Sequence, residues 1–271
     1  LDPVSNLGFT QALPNSAELS APLRLDCALT YRLPQNAEGA FSTTKRVERE
    51  LSTVEWQEVI DKAWAVGIPH IIFTGGEATL RDDLLDLISH AEKNGQVTGL
   101  LTDGNRLTDG EYLNSLLLTG LDHIMLILPV LHEPDWFAIK NCVLADIFLA
   151  VHLTVTADNL LGSQSLLQKL RDAGVENVSL SSSDMALIED ISHLSKFAEE
   201  LGFRLISDLP VPYSQANPVA VELLEDAEPL GAGKTWLYVE PDGDVLPAQG
   251  MAEKILGNIL KDSWETIYPA R

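Results

Sequence analysis

The sequence predicts an α/β protein, a β/α barrel-like sheet followed by a small β-containing extension. Three observations carry this. From residue 51 onward a unit recurs, made of a helical pattern, a glycine and a short apolar strand, with joints at Gly67, Gly95, Gly120, Gly174 and Gly202. The strand runs are apolar on both faces, which in strands separated by helices indicates a parallel sheet covered on both sides and joined by right-handed crossovers. The chain has 271 residues, 45% of them apolar, enough for one large domain or one domain with an appendage.

Leu1 to Ala21 is polar, contains proline and lacks the basic-then-apolar order of a secretion signal, so residues 1–22 are expected to be a lead-in. Leu23–Tyr31 supplies the first strand. Ser52 and Glu55 form a capping box ahead of Trp56, Val59, Ile60, Ala63 and Trp64, which share one helical face, and Gly67 lies past the helix end. Further strands are expected at Ile68–Thr74, Gln96–Thr102, Asp122–Leu128, Ile147–Thr156, Val175–Ser181 and Phe203–Asp208. Strands joined mostly by helices in this way fit an open or closed barrel better than a doubly wound sheet, and either architecture puts the ligand site at the strand carboxyl ends. The barrel region is thus 23–209. A proline-rich stretch, Leu209 to Pro218, leads into acidic residues through Glu228, a linker over 210–229. In the remainder, 230–271, Thr235–Glu240, the turn Pro241-Asp242-Gly243-Asp244 and Val245–Leu246 read as strand, turn and strand, with a short helix around Trp264–Tyr268. Trp236, Tyr238, Trp264 and Tyr268 are expected to form this extension's own core, with contact to a peptide as the alternative.

Charge excludes some functions. Lysine and arginine total 18 against 40 aspartates and glutamates, a formal charge of -22, which repels nucleic acid and anionic membranes at long range. The longest apolar stretch, His123 to Leu131, is about half a membrane span and contains Pro129, so no transmembrane helix is expected. Two cysteines in apolar surroundings, Cys27 and Cys142, suit a reducing cytoplasm without a disulfide framework. GxSxG, P-loop and GxGxxG motifs are absent, and Gly231-Ala232-Gly233-Lys234-Thr235 lacks the spacing of a phosphate loop. His70, His123 and His152 lie in or beside strands without zinc-ligand spacing and read as core or surface residues; His132-Glu133 is a loop pair.

Three segments carry more specific information. Thr74-Gly75-Gly76-Glu77-Ala78-Thr79-Leu80 follows a strand and precedes a helix. Leu101-Thr102-Asp103-Gly104-Asn105-Arg106-Leu107 follows the next strand. Gly231-Ala232-Gly233, Val239 to Pro247 and Leu256-Gly257-Asn258-Ile259 frame the extension. Read together, they resemble the radical S-adenosylmethionine superfamily, in particular members with a SPASM or twitch-type extension. The resemblance implies a partial (β/α)6 TIM-like barrel. It also implies that Glu77 and its neighbouring backbone hold the methionyl amine of S-adenosylmethionine, with Gly75, Gly76, Glu77, Thr102, Asp103 and Thr154 as cofactor-binding candidates. Asp103 stands where that family has asparagine.

The chain departs from the family at the cluster. There, three cysteines after the first strand hold a 4Fe-4S cluster whose free iron takes the cofactor. Aligning Tyr31-Arg32 puts Leu33, Ala37 and Ala40 at those positions, and Leu230 and Ala248 stand where the extension's cysteines are usual. None has a donor atom, and Cys27 lies six residues before Leu33, within the strand itself. The strand Ile124 to Leu128, with Pro129 and Val130, offers no hydroxyl or carboxylate to a ribose.

The expectation is therefore a radical S-adenosylmethionine fold without a 4Fe-4S cluster or another metal, with S-adenosylmethionine as the candidate small ligand. Such a protein would act as a non-radical pseudoenzyme that binds a peptide, a metabolite or a partner protein, with no nucleic acid or membrane involved. One alternative is a cluster-free enzyme or S-adenosylmethionine binder using Glu77 at the barrel mouth, where Asp103 and the hydroxyls of Thr154, Thr156, Ser181 and Ser182 also gather. The other is a peptide-modifying radical enzyme of that family in altered form. No catalytic residue is assigned.

Overall fold

Arg24–Thr30 forms β1, buried along nearly its whole length, and the chain then alternates helix and strand as the glycine rhythm predicts. The computed structural model describes residues 19–34, 47–129, 133–182, 184–206 and 231–269. The elements are α1 (Thr53–Ala65), β2 (His70–Gly75), α2 (Leu84–Asn94), β3 (Val97–Thr102), α3 (Gly110–Leu117), β4 (His123–Ile127), α4 (Trp136–Leu144), β5 (Phe148–Thr154), α5 (Leu160–Asp172), β6 (Asn177–Ser181), α6 (Ile188–Glu200) and β7 (Arg204–Leu205). After the linker predicted over 210–229, which lies outside the described residues, come β8 (Trp236–Val239), β9 (Asp244–Leu246), β10 (Gly257–Asn258) and α7 (Trp264–Ile267).

All ten strands belong to one sheet, in the order β10-β9-β8-β1-β2-β3-β4-β5-β6-β7. Strands β1 to β7 are parallel, while β9 is antiparallel to both β8 and β10. The extension does not stand apart as the linker suggested: β8 runs parallel to β1, with Asp26 opposite Tyr238 and Cys27 opposite Val239, and continues the sheet. The architecture is the α/β, mostly parallel sheet of a partial barrel. The last strand predicted, Phe203–Asp208, is ordered in the sheet only at Arg204–Leu205 among the described residues.

Alternation along each strand separates two cores. Leu25, Cys27, Leu29, Ile71, Phe73, Leu100, Ile124, Leu126, Val151 and Leu153 pack with the helices. Ile72, Leu101, Met125, Ala150 and Ile206 meet on the opposite, inner face, and Ala28, Tyr238 and Leu246 continue it toward the extension. The capping box at α1 is formed: Ser52 N donates to Glu55 Oε2 at 2.8 Å and Glu55 N to Ser52 Oγ at 3.4 Å. Trp56, Val59, Ile60 and Ala63 are buried as expected, but Trp64 is 46% exposed and lies over Gly95 instead of entering the core.

The floor of the inner face is polar. Arg24 pairs with buried Asp26 at 2.8 Å and lies over the Trp236 ring. Burial holds the Asp26 carboxyl up at about 6 despite that guanidinium. The Nε2 atoms of His70 and His123 meet at 2.8 Å, a contact that requires one imidazole to donate and the other to accept. Burial and Arg24 keep His123 down at about 4.

Candidate functional site

The strand carboxyl ends hold the residues singled out by sequence. At the end of β2, Gly75 has φ +134°, and a Cβ there would lie 2.1 Å from Thr30 O; one on Gly76 would lie 2.3 Å from Arg32 O. No side chain fits at either position. The close approach lets Gly76 N donate to Thr30 O at 2.7 Å and Glu77 N to Arg32 O at 2.8 Å. The two glycines thus zip the turn onto the chain leaving β1, and the amides of Gly76 and Glu77 are consumed in doing so.

Glu77 is 2% exposed. Its Oε1 accepts from Thr79 N (3.0 Å), Thr79 Oγ1 (2.6 Å) and Thr102 Oγ1 (2.8 Å), and its Oε2 from Asp103 N (2.7 Å). Burial, with the neighbouring Asp103 charge, pushes the Glu77 carboxyl up to about 7. Thr102 Oγ1 also accepts Gly104 N, and Asp103 Oδ1 accepts Asn105 N. The structure therefore joins Gly75, Gly76, Glu77, Thr102 and Asp103 in one assembly in which Glu77 clamps the turn after β2 to the turn after β3. Among the described residues Oε2 has a single donor, which leaves capacity for one more.

Neighbouring side chains extend the clamp. Arg81, 7% exposed, donates to Leu29 O and Leu51 O and grips Asp83 through Nε and Nη2. Arg106 donates to Thr79 O at 2.8 Å and lies 3.9 Å over the Tyr112 ring. Thr30 Oγ1 bonds Glu50 and accepts Arg32 N and Arg32 Nε. Tyr31 reaches the extension, where its hydroxyl donates to Glu240 at 2.9 Å.

Among the described residues no set of cysteines stands together to hold an iron-sulfur cluster. Leu33 is half-buried beside β1; Ala37, Ala40 and Leu230 lie outside the described residues, and the sequence gives them no ligand atom. Ala248 is buried in an apolar group with Ala232, Met251 and Trp236. Cys27 belongs to the helix-side core, where burial pushes its thiol well up, and Cys142 in α4 is likewise pushed up to about 12. Neither thiol faces the mouth assembly. Among the described residues the one group of carboxylates close enough to share a cation is Glu240, Asp242 and Asp244 in the turn between β8 and β9, where Asn258 donates to Asp244 and to Asp242 O.

Thr154 lies apart from this assembly, on β5, in a second polar group. His152 is fully buried; its Nδ1 meets Ser179 Oγ at 3.0 Å, and its Nε2 meets Thr154 Oγ1 at 3.2 Å and Ser181 Oγ at 3.1 Å. Burial lowers its pKa to about 3, so the ring is neutral. The β5–β6 register creates the group by setting His152 opposite Ser179 and Thr154 opposite Ser181. From sequence the hydroxyls are expected at the mouth and His152 reads only as a core or surface residue, because no local spacing joins residues 27 apart. Ser182 is different: its hydroxyl donates to Val155 O and fastens a loop.

The comparisons with known proteins bear on the fold. Residues 35–134 match the family model described as Radical SAM superfamily. A PqqA peptide cyclase of Streptomyces rochei is homologous, 26% identical over 256 residues, covering 84% of this chain and 70% of the relative. The structure of Streptococcus suis SuiB bound to S-adenosylmethionine matches with a TM-score of 0.68 at 14% identity, over 93% of this chain and 66% of that one. SuiB bound to precursor peptide SuiA gives 0.69 at 14% identity, covering 98% and 67%. The chain thus spans about two thirds of the SuiB chains it matches, and the likeness to them is one of fold.

Proposed function

We propose that this chain, which carries a radical SAM family-model domain and is related to peptide-modifying enzymes, is a non-radical member that binds a peptide at the barrel mouth. The observation that carries the reading is the end of β1. It is knit by the Thr30, Arg32, Glu50 and Arg81 contacts and presents Leu33 where a thiolate would be needed. Cleaving a sulfonium reductively needs an electron from a cluster, and oxygen ligands such as Asn36 and Glu38 suit iron sulfide poorly. A peptide partner is supported by the relatives, one a peptide cyclase and one solved with its precursor peptide. The reading suits a cytoplasmic protein.

A second reading, S-adenosylmethionine binding without a cluster, is favoured by the retained Glu77 assembly with its remaining acceptor direction on Oε2. One preparation tests both. Protein purified and reconstituted with iron and sulfide without oxygen is analysed for metal, then titrated calorimetrically with S-adenosylmethionine. The non-radical reading expects iron well below four per chain and no brown chromophore; a stoichiometric cluster overturns it. Heat that disappears in Glu77→Ala establishes the second reading. In the variant Leu33→Cys/Ala37→Cys/Ala40→Cys, gain of iron would mean the loop is otherwise competent.

A further inference from the structure

We propose that the inner wall between β5 and β6 recognises a neutral amide carbonyl, the group a peptide backbone presents, through the hydroxyls around His152. The inference rests on the peptide-binding reading and names the part of the barrel that touches the peptide.

The argument is a count of hydrogens. Among the described residues, the hydroxyls of Thr154, Ser179 and Ser181 have only the ring nitrogens of His152 as partners. A neutral imidazole has one N–H and one lone pair. If Nδ1 carries the hydrogen, it donates to Ser179, and Nε2 accepts from only one of Thr154 and Ser181. The hydrogens of Ser179 and of the other hydroxyl are then left over. If Nε2 carries the hydrogen, Ser179 donates to Nδ1, and both Thr154 and Ser181 keep theirs. In either tautomer two hydroxyl hydrogens find no acceptor within the group; half-buried Ser181 can turn its own toward solvent, so at least one enclosed donor, on Ser179 or Thr154, is left. Thr154 is 1% exposed and Ser179 7%, so bulk water does not supply one, and a buried donor left unmade is costly. The missing partner is an acceptor oxygen.

Charge selects the kind of oxygen. The imidazole is neutral and the other three groups are hydroxyls, so nothing in the group balances an anion, and the chain as a whole is strongly acidic. A carboxylate or phosphate would pay for burial without a counter-charge. An amide carbonyl accepts two hydrogen bonds and carries no charge. Half-buried Ser181, at the carboxyl end of β6, is the point of entry. The group lies on the same sheet face as Ala150, which belongs to the inner apolar cluster.

The test uses the full chain labelled with 13C at histidine Cε1. Acetyl-glycyl-glycine N-methylamide is titrated in, with sodium acetate as the charged control, while the His152 signal, assigned with His152→Gln, and the linewidths of the peptide methyls are followed. The expected result is a saturable His152 shift with the capped diglycine and none with acetate. Ser181→Ala should weaken it by about tenfold, the size of one lost hydrogen bond, and Ser181→Thr should restore it in part. An unmoved His152 signal while the peptide lines broaden overturns this inference and leaves the peptide-binding reading in place. No shift and no broadening overturns both. An equal shift with acetate overturns the selection for a neutral carbonyl, and an unmoved signal in an intact fold means ordered water alone fills the group.

Discussion

The Glu77 carboxylate accepts the backbone amide of Asp103 at 2.7 Å across two turns that follow different strands. With Thr79 and Thr102 on its other oxygen, four donors converge on one buried side chain. Glu77 is a positioning residue for the mouth whether or not a ligand is present. Glu77→Ala leaves all four donors without an acceptor and should cost about 3 kcal/mol or more in urea unfolding.

The same clamp has a pH signature. The folded pKa of about 7 lies above the ordinary 4.5, so folding favours the protonated carboxyl. The stability this group contributes is fully present below pH 4.5 and is lost as pH rises through 7, a decline of about 3 kcal/mol. Glu77→Gln removes that decline. Urea midpoints from pH 4.5 to 8 should therefore fall more steeply in the wild type than in the variant, whose amide nitrogen meets the Asp103 N–H unfavourably at every pH. Parallel profiles would refute the assignment.

His152 acts in the opposite direction. Its folded pKa of about 3 is below the ordinary 6.5, so its contribution is intact above pH 6.5 and is lost as pH falls toward 3. Histidine NMR should show its Cε1 shift unchanged from pH 8 to 5. A His152 titration near 6.5 would show that the ring is not enclosed.

Gly76→Ala tests the turn. A Cβ 2.3 Å from Arg32 O forces the turn off β1 and breaks the bonds from Gly76 N to Thr30 O and from Glu77 N to Arg32 O. A loss of about 3 kcal/mol is expected, lowering the thermal midpoint by about 8 °C. An unchanged midpoint would show that the turn has room the geometry denies it.

Arg81→Lys should not restore what Arg81→Ala removes. The guanidinium reaches two carbonyls on different segments and both oxygens of Asp83, a fan that a single ammonium does not span. Both variants should lose about 3 kcal/mol; full recovery in the lysine variant would reduce the role of Arg81 to charge.

Much of this was legible beforehand. The glycine joints and doubly apolar runs gave seven of the ten strands, because each element is written in local periodicity. The Ser52–Glu55 box and the Pro241–Asp244 turn are equally local. The residues of the Glu77 assembly were legible by resemblance, but its wiring was not: that Thr79, Thr102 and Asp103 all donate to one carboxylate depends on how two turns stack. The His152 group and the His70–His123 pair were invisible for a related reason, since strand register, set by the whole sheet, brings their members together. Trp64 shows the limit of periodicity, which marks a stripe wider than the one the sheet covers.

The pairing of β8 with β1 joins residues separated by more than two hundred positions, Arg24 with Trp236 and Cys27 with Val239. During synthesis β1 leaves the ribosome about two hundred residues ahead of β8, and its outer edge stays open until residues 236–239 follow. Until then the chain carries an unpaired apolar strand edge, the feature that invites pairing with other chains. So distant a contact also makes closure slow. Docking of β8 is thus what covers this edge of β1, and a chain cut before residue 236 would retain, among the described residues, six helices and seven strands with an adhesive flank.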